Sequence, residues 1–189
     1  MYEYYNEALC DAIEQAQARN FICIDTETTG VDEEAEILQF SAYDKAGQCI
    51  MDVYVRPTKA QEWPEAMAVN GITPERVKNC KTIQELKPAI EAIFNQYEEV
   101  VGYNIPFDLR ILKQNGISCE LPSFDVMRAF APIYGLWNNA RGSYRWQKLF
   151  KCAEYYGYKE EGFHNSANDV LATIYCLRKM AETARKNLE

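Results

Sequence analysis

The sequence predicts a domain of the α/β class, built on a central sheet, and three observations indicate this. Residues 21–24 read Phe-Ile-Cys-Ile, and four apolar residues in a row are typical of a strand that is buried on both faces of its sheet. Residues 37–44 and 48–56 are also strand-like, with a turn between them at 44–47. Helical patterns then dominate, beginning at the capping box Thr82-Ile83-Gln84-Glu85.

Length and composition fit one such domain. The chain has 189 residues, of which 48% are apolar, so we expect a single domain over residues 1–189 with a well-formed core. The formal net charge of −8 argues against a nucleic-acid-binding protein with a broad basic face, although not against one that meets phosphate through bound metal. No apolar run reaches the roughly 18 residues of a membrane span, and the N-terminus shows no signal-peptide pattern.

The cysteines argue for a reducing compartment. Seven are scattered along the chain, and none forms a C-x-x-C pair. Only one histidine is present to complete a zinc site with them. The odd number of cysteines also argues against the disulfide framework of a secreted protein. We therefore expect a cytoplasmic protein without structural zinc.

The first half of the chain is predicted to supply the outer part of the sheet. Residues 2–18 contain strong helix formers and predict a helix. The buried strand covers 20–25, and together with the two strand-like segments it predicts a meander that ends before Pro57. A long connection over 57–81 follows, with a short helical piece at 64–69.

The second half is predicted to be mainly helical. Ile83 begins an apolar stripe at helical spacing that reaches Tyr97, and Pro88 is a candidate for a kink in this helix. The other predicted elements are a buried strand at 100–103, helices at 105–115, from 125, at 146–156 and at 165–184, and a loop at 134–146. We expect Trp146, at the start of its helix, to belong to the core.

Two carboxylates, Asp25 and Glu27, end the apolar segment of the first strand. Because the side chains of a strand alternate, residues at i and i+2 point to the same side. Two like charges at the end of a buried strand repel each other unless a cation neutralises them. Oxygen ligands of this kind suit Mg²⁺ or Mn²⁺. Taken alone, the pair is explained equally well by a metal site and by a hydrated strand end.

Two further segments carry candidate functional groups. Asp108 lies in the first turn of a helix that follows a buried strand, and the carboxyl ends of strands are where α/β sheets place their sites. His164, the single histidine, precedes the last helix, and Asp169 lies about one turn into that helix. A histidine can take a proton from water near neutral pH. Helix-end electrostatics, with Asn165 or Ser166 as N-cap, explains each segment better when it is considered alone.

Together these segments resemble the three motifs of the DEDDh (DnaQ-like) exonucleases, a family that includes epsilon-type proofreading subunits of bacterial replicative DNA polymerases and ribonuclease T. The matching residues are Asp25-x-Glu27, Asn104-x-x-Phe107-Asp108, and His164 followed by Asp169 at the fifth position. Asn70-Gly71-Ile72-Thr73 and Trp146-Gln147-Lys148-Leu149 also match, and the resemblance covers residues 21–177. The related tyrosine-based subfamily would have Tyr at position 165, where this chain has Asn.

The resemblance implies a ribonuclease H-like fold, with a central mixed five-stranded sheet flanked by helices. It also implies two Mg²⁺ or Mn²⁺ ions about 4 Å apart. Asp25 would bridge both ions, Glu27 and Asp169 would complete the first, and Asp108 would support the second directly or through water. His164 would deprotonate the water that attacks the terminal phosphodiester bond, and a 5′-mononucleotide would leave the 3′ end.

The resemblance also marks six residues, besides His164, as candidates for substrate contact: Thr28, Thr29, Gly30, Ile72, Asn104 and Phe107. The first three would lie beside the terminal nucleotide, and an ordinary strand-to-loop turn is the alternative for them. Phe107 either stacks on a base or, as we favour, packs beneath the site. Ile72 either contacts the terminal base or fills an apolar space under a loop.

The loop at 134–146 mixes aromatic residues with arginines, which suits stacking on single-stranded nucleic acid as well as packing within the protein.

The expected function is a metal-dependent 3′→5′ exonuclease acting on the single-stranded 3′ ends of DNA or RNA. The alternative is a non-catalytic nucleic-acid-binding or polymerase-scaffolding module of the same fold. The resemblance leaves open proofreading with DNA polymerase III, a homodimer, and the identity of the metal.

Overall fold

Five strands form the central sheet in the computed structural model, which describes residues 7–159 and 163–188. In chain order they are β1 (Phe21–Thr28), β2 (Ile37–Asp44), β3 (Cys49–Tyr54), β4 (Glu99–Gly102) and β5 (Ser123–Asp125). Their order in the sheet is β3-β2-β1-β4-β5. The first three pair antiparallel, while β4 is parallel to both β1 and β5. The predicted meander and the mixed, ribonuclease H-like sheet are therefore confirmed.

Helices flank this sheet. They are α1 (Glu7–Ala18), α2 (Pro64–Asn70), α3 (Pro74–Val77), α4 (Ile83–Phe94), α5 (Ile105–Gln114), α6 (Val126–Tyr134), α7 (Leu149–Tyr156) and α8 (Ser166–Leu188). The predicted capping box is present at the start of α4, and this helix accommodates Pro88. Residues 2–6 of the predicted first helix lie outside the described part of the chain. None of the described helices has the length and apolar character that crossing a membrane requires.

Strand β1 lies between two cores, as its apolar sequence predicts. Ile22 and Ile24 face a cluster that includes residues of α4 and α5, whereas Phe21 and Cys23 face a cluster that includes α1, α6, α7 and α8. All four side chains are buried. Burial on both faces is typical of a strand in the middle of a layered α/β domain, and it fixes the position of the carboxylates that follow.

Three local predictions need correction. Strand β1 is longer than predicted, because β2 pairs with it as far as Thr28↔Ile37, so that its carboxylates lie within the strand. The predicted helix at 146–156 begins only at Leu149, and Trp146 is exposed instead of buried. The loop at 134–146 contains a small hairpin, β6 (Trp137–Asn138) and β7 (Ser143–Tyr144).

Candidate active site

Asp25 and Glu27 lie near the middle of the sheet, opposite polar residues of β2. Asp25 pairs with Ser41, and Glu27 pairs with Gln39. Although they belong to an otherwise apolar strand, Ser41 and Gln39 are buried and both donate hydrogen bonds to Asp52 of β3, at 2.9 and 2.8 Å. The sheet therefore carries a polar strip next to the two carboxylates.

This polar strip receives the N-terminus of α8. The hydroxyl groups of Ser41 and Ser166 share a buried hydrogen bond of 2.6 Å, and the Asn165 amide donates to Gln39 at 3.4 Å. Asn165 also accepts from the backbone N–H of Asn168 at 3.4 Å, as an N-cap residue does. Docked in this way, the first turn of α8 directs Asp169 toward β1.

Three carboxylates converge as a result. One oxygen each from Asp25, Glu27 and Asp169 lies within 4.8 Å of the other two. We call these three residues the acidic triad. Oδ2 of Asp169 accepts from the backbone N–H of His164 at 3.3 Å, while its Oδ1 is buried without a hydrogen-bond partner among the described residues. A buried carboxylate oxygen without a donor is unfavourable unless a cation or a proton satisfies it.

Asp108 lies beside the triad, outside the group of mutually close oxygens. Its carboxylate is 2% exposed, and its Oδ1 accepts from the backbone N–H and the hydroxyl of Thr26, at 2.9 and 2.7 Å. It is carried by the first turn of α5, which follows Asn104 in a left-handed conformation (φ 63°). The backbone N–H of Asn104 donates to Asp125 at 3.0 Å, which helps to hold this turn.

Burial raises the proton affinity of all four carboxylates, and neighbouring carboxylates raise it further at Asp25, Glu27 and Asp108. The pKa of Asp25 lies well above its ordinary value because of burial and because of the charges of Asp108, Asp169 and Glu27. Burial, followed by the charge of Asp169, raises the pKa of Glu27 to about 7. Burial also raises the pKa of Asp108 to about 7, against the lowering effect of its hydrogen bonds from Thr26.

Asp169, at the α8 end of the cluster, is also affected by burial. Burial raises the pKa of Asp169 to about 6, although the His164 backbone N–H and the His164 charge lower it. Such a cluster is costly to ionise fully without positive charge nearby. Its donor atoms are all carboxylate oxygens, the ligands preferred by hard divalent cations such as Mg²⁺ and Mn²⁺. The residues therefore fit a divalent metal site, and the buried Oδ1 of Asp169, which lacks a hydrogen-bond donor among the described residues, supports this fit.

His164 lies at the rim of this site. It is exposed and has a positive φ of 67°, which turns the chain sharply just before α8. His164 and Asp169 both line a groove that runs from this site along the start of α7. His164 is thus a neighbour of Asp169, and a catalytic role for its imidazole stays a prediction.

The candidate substrate contacts are more diverse. The Thr28 hydroxyl donates to the Gly30 carbonyl at 2.6 Å, and Thr29 exchanges hydrogen bonds with Glu36, so that these residues build a turn beside the triad. Asn104 lines the groove. Phe107 packs against the core of α4 and α5, with the Arg110 guanidinium 5.1 Å from its ring centre.

Ile72 is placed away from the surface of the site. It is 3% exposed and packs with Trp63, Leu38 and Val77, whose cluster supports the segment after β3. Its backbone N–H donates to the Asn70 side chain, and the Asn70 amide in turn donates to the Thr28 carbonyl at 3.3 Å. Contact of Ile72 with a base stays a prediction.

Several supporting residues had no role assigned from the sequence, although Asn70 belongs to a segment that resembles the family. Thr26 holds Asp108, Asn70 lowers the pKa of Glu27, and Gln39 and Ser41 form the polar strip under α8. Gln39 and Ser41 had a recognisable signal, since they are polar residues at alternate positions of a buried strand and point to one face.

A groove extends from the triad along the start of α7. We call it the aromatic groove, and six of its lining residues are Val31, Trp146, Lys148, Phe150, His164 and Asp169. Its volume is about 680 Å³. The hairpin of β6 and β7 lies outside its lining, and there Trp137 packs edge-on against Tyr144 with ring centres 5.0 Å apart.

A five-stranded mixed sheet, with two carboxylates of its central strand close to carboxylates of two helices, is typical of the ribonuclease H-like nucleases. The profile of the RNase T exonuclease family matches residues 22–177, and the chain belongs to this family. It is 31% identical over 172 residues to the uncharacterized exonuclease CP81 of Escherichia phage 186, covering 85% of this chain and 88% of the phage protein.

Other similar proteins include longer chains. The chain is 26% identical over 175 residues to the PolC-type DNA polymerase III of Thermotoga maritima, covering 88% of this chain and 12% of the polymerase. Exonuclease I of E. coli in complex with a dA16 oligonucleotide superposes with a TM-score of 0.70 at 20% identity, covering 89% of this chain and 42% of that one. Exonuclease X bound to 5′-overhanging duplex DNA superposes with a TM-score of 0.67 at 20% identity, covering 86% and 92%. These structural likenesses concern the fold.

Proposed function

We propose that this protein is a 3′→5′ exonuclease of the DEDDh type, which removes 5′-mononucleotides from single-stranded 3′ ends of DNA or RNA. The observation that carries the proposal is the convergence of the acidic triad within 4.8 Å, with Asp108 and His164 beside it. Groups that are far apart in the sequence meet at the central strand, as a phosphodiester hydrolase with metal ions requires.

Asp25, Glu27 and Asp169 would hold one divalent cation, and Asp108 would help to hold a second. When bound, Mg²⁺ or Mn²⁺ ions supply stabilisation of negative charge on phosphate and leaving oxygens and make water more acidic. The raised pKa values of the carboxylates support this assignment, because a site that binds protons strongly for electrostatic reasons also favours a cation.

His164 would act as the general base. An imidazole at the open rim of the site is placed to accept the proton of an attacking water. The hydrogen bond from its backbone N–H to Asp169 holds the His164 backbone close to the triad. Thr28, Thr29, Gly30 and Asn104 would contact the terminal nucleotide from the turn after β1 and from the start of α5.

The relatives support an exonuclease reaction, but they do not decide between DNA and RNA as the substrate. Besides the phage exonuclease and the polymerase, RNA exonuclease 4 of Xenopus tropicalis is 31% identical over 94 residues, covering 48% of this chain and 22% of that protein. The relatives thus include a DNA polymerase and an RNA exonuclease. Proofreading with a polymerase, a homodimer and the single-domain organisation of residues 1–189 stay predictions.

Digestion of 5′-labelled oligonucleotides tests the proposal. With Mg²⁺ or Mn²⁺ we expect a ladder that shortens from the 3′ end, on matched single-stranded DNA and RNA, and its loss with chelator. His164→Ala should lower the rate by at least about a hundredfold, as expected for loss of a general base. Glu120→Ala, at an exposed position outside the groove, is the control and should keep the wild-type rate.

A non-catalytic binding or scaffolding module would behave differently. It would bind the same oligonucleotides without shortening them, and neither chelation nor His164→Ala would change the labelled products. That result would overturn the exonuclease assignment in favour of the alternative.

A further inference from the structure

Trp146 and Phe150 form an exposed aromatic wall beside the acidic triad. Trp146 is 61% exposed and Phe150 is 42% exposed. The backbone between them is fixed, because the hydroxyl of Tyr103 at the end of β4 donates to the Gln147 carbonyl at 2.8 Å. Two large aromatic side chains held in the open on a fixed backbone indicate a binding surface.

This wall is continuous with the catalytic centre. His164 and Asp169 line the same groove as Trp146 and Phe150, and the 77% exposed side chain of Val31 also lines it. A strand whose terminal phosphate reaches the triad therefore has the aromatic groove as a path for the nucleotides that precede it.

The charges of the groove suit a polyanion with exposed bases. Among its described lining residues Asp169 is the only carboxylate, and that group belongs to the triad. Lys148 adds a positive charge next to Trp146. In a chain of net charge −8, this is a surface where phosphates meet little repulsion.

On the basis of the proposed exonuclease function, we propose that the aromatic groove holds the unpaired bases that precede the terminal nucleotide. Trp146 and Phe150 stack on these bases, and Lys148 pairs with a phosphate between them. Stacking on aromatic rings tolerates any base, so the groove selects single-stranded ends by their length rather than by their sequence.

The first test measures how kcat/KM depends on substrate length, from a dinucleotide to an octanucleotide. Loss of one stacked base lowers affinity by about 5- to 150-fold. We expect Trp146→Ala and Phe150→Ala each to lower kcat/KM on the octanucleotide by roughly tenfold, with a much smaller effect on the dinucleotide, which is too short to reach the wall. Trp146→Phe keeps an aromatic face and should retain most of the length dependence.

Trp137→Ala is the matched control. Trp137 is 51% exposed, but it packs against Tyr144 outside the groove lining, so its removal should leave the length dependence unchanged. If Trp146→Ala and wild type show the same length dependence, the groove proposal is wrong. It is also wrong if Trp146→Ala lowers kcat/KM equally for both lengths, since that indicates damage to the site itself.

A second test does not depend on turnover. In a His164→Ala background, binding of octathymidylate should quench tryptophan fluorescence, and Trp146→Phe should remove most of this quenching while Trp137→Phe should not. If the wild type cleaves no oligonucleotide but Trp146-dependent quenching is present, the exonuclease assignment fails and the groove stands. If Trp146→Phe leaves the quenching unchanged, Trp146 does not stack on the bound strand and the groove proposal fails.

Discussion

Asp108 depends on a single residue for two of its hydrogen bonds. The backbone N–H and the hydroxyl of Thr26 both donate to its Oδ1. Thr26 is itself buried within β1, one position after Asp25. The geometry of the second motif is therefore tied directly to the strand that carries the first.

Thr26→Val tests whether the Thr26 hydroxyl positions Asp108, because it keeps the shape of the side chain and removes its hydroxyl donor. We expect a loss of about 1–2 kcal/mol in the free energy of unfolding, since a buried carboxylate loses one donor. We also expect kcat to fall about tenfold because Asp108 is less well held. Urea unfolding and steady-state kinetics measure both effects. Thr26→Ser retains the donor and should recover kcat, whereas a wild-type kcat in Thr26→Val would contradict the positioning role.

The charges of the triad oppose folding when no cation is present. The pKa of Asp25 is raised by burial and by three neighbouring carboxylates, so replacing it with a neutral amide removes unfavourable interactions. We expect Asp25→Asn to increase the free energy of unfolding at pH 8 in chelator by about 1–2 kcal/mol. The same variant should lose the stabilisation that Mg²⁺ gives the wild type, together with activity. Asp52→Asn, in the polar strip, lacks this repulsion and should show no such gain.

At the scale of elements, the close approach of α5 to β1 depends on Gly102. A Cβ at this position would lie 2.7 Å from Cδ1 of Ile105 and 3.2 Å from the carbonyl oxygen of Ile24. The backbone contact cannot be relieved by rotating a side chain. Glycine at the end of β4 therefore lets the helix that bears Asp108 sit against the central strand.

Gly102→Ala should push α5 away from β1. We expect it to destabilise the protein by about 1–3 kcal/mol through overpacking and to lower kcat by displacing Asp108. Thermal unfolding and oligonucleotide digestion measure the two effects. Gly30→Ala is the stability control, because its added Cβ would have no atom within 4 Å and should leave the unfolding temperature nearly unchanged. Equal stability of the two variants would contradict the packing argument.

Elements with long or strongly patterned sequences were predictable, and short ones were not. The apolar segment of β1 and the capping box of α4 identified their elements from local sequence. Strand β5 has only three residues, too few to show a period, and was missed. Trp146 was wrongly expected in the core, because aromatic character predicts burial and only the fold shows that this residue faces the groove.

In the site, too, local sequence predicted some features, and only the tertiary structure shows the others. Spacing within β1 placed Asp25 and Glu27 on one side, but nothing local placed Asp169 against them. That contact follows from the docking of α8 on Ser41 and Gln39, a tertiary arrangement that was expected here only through the resemblance of the three motifs.

At the scale of the whole molecule, the raised carboxyl pKa values couple folding to pH. Glu27 and Asp108 have pKa values of about 7, and Asp169 of about 6, whereas unfolded carboxyl groups titrate near pH 4. Between about pH 4 and pH 7 the folded protein therefore binds more protons than the unfolded chain. The stability of the metal-free protein is thus greatest at the low end of this range and falls as the pH rises through it.

Divalent cations should weaken this pH dependence, because they replace protons at the triad. In chelator we expect the free energy of unfolding to fall by on the order of 3 kcal/mol between pH 5 and pH 8. With millimolar Mg²⁺ the decrease should be much smaller, since binding to the folded state adds stability that grows as the carboxylates ionise. Urea titrations at unit pH steps, with and without Mg²⁺, measure both curves. An Asp25→Asn/Glu27→Gln variant should give nearly coincident curves with a shallower pH dependence. If Mg²⁺ stabilises that variant as much as the wild type, the cation binds elsewhere and the triad is not the metal site.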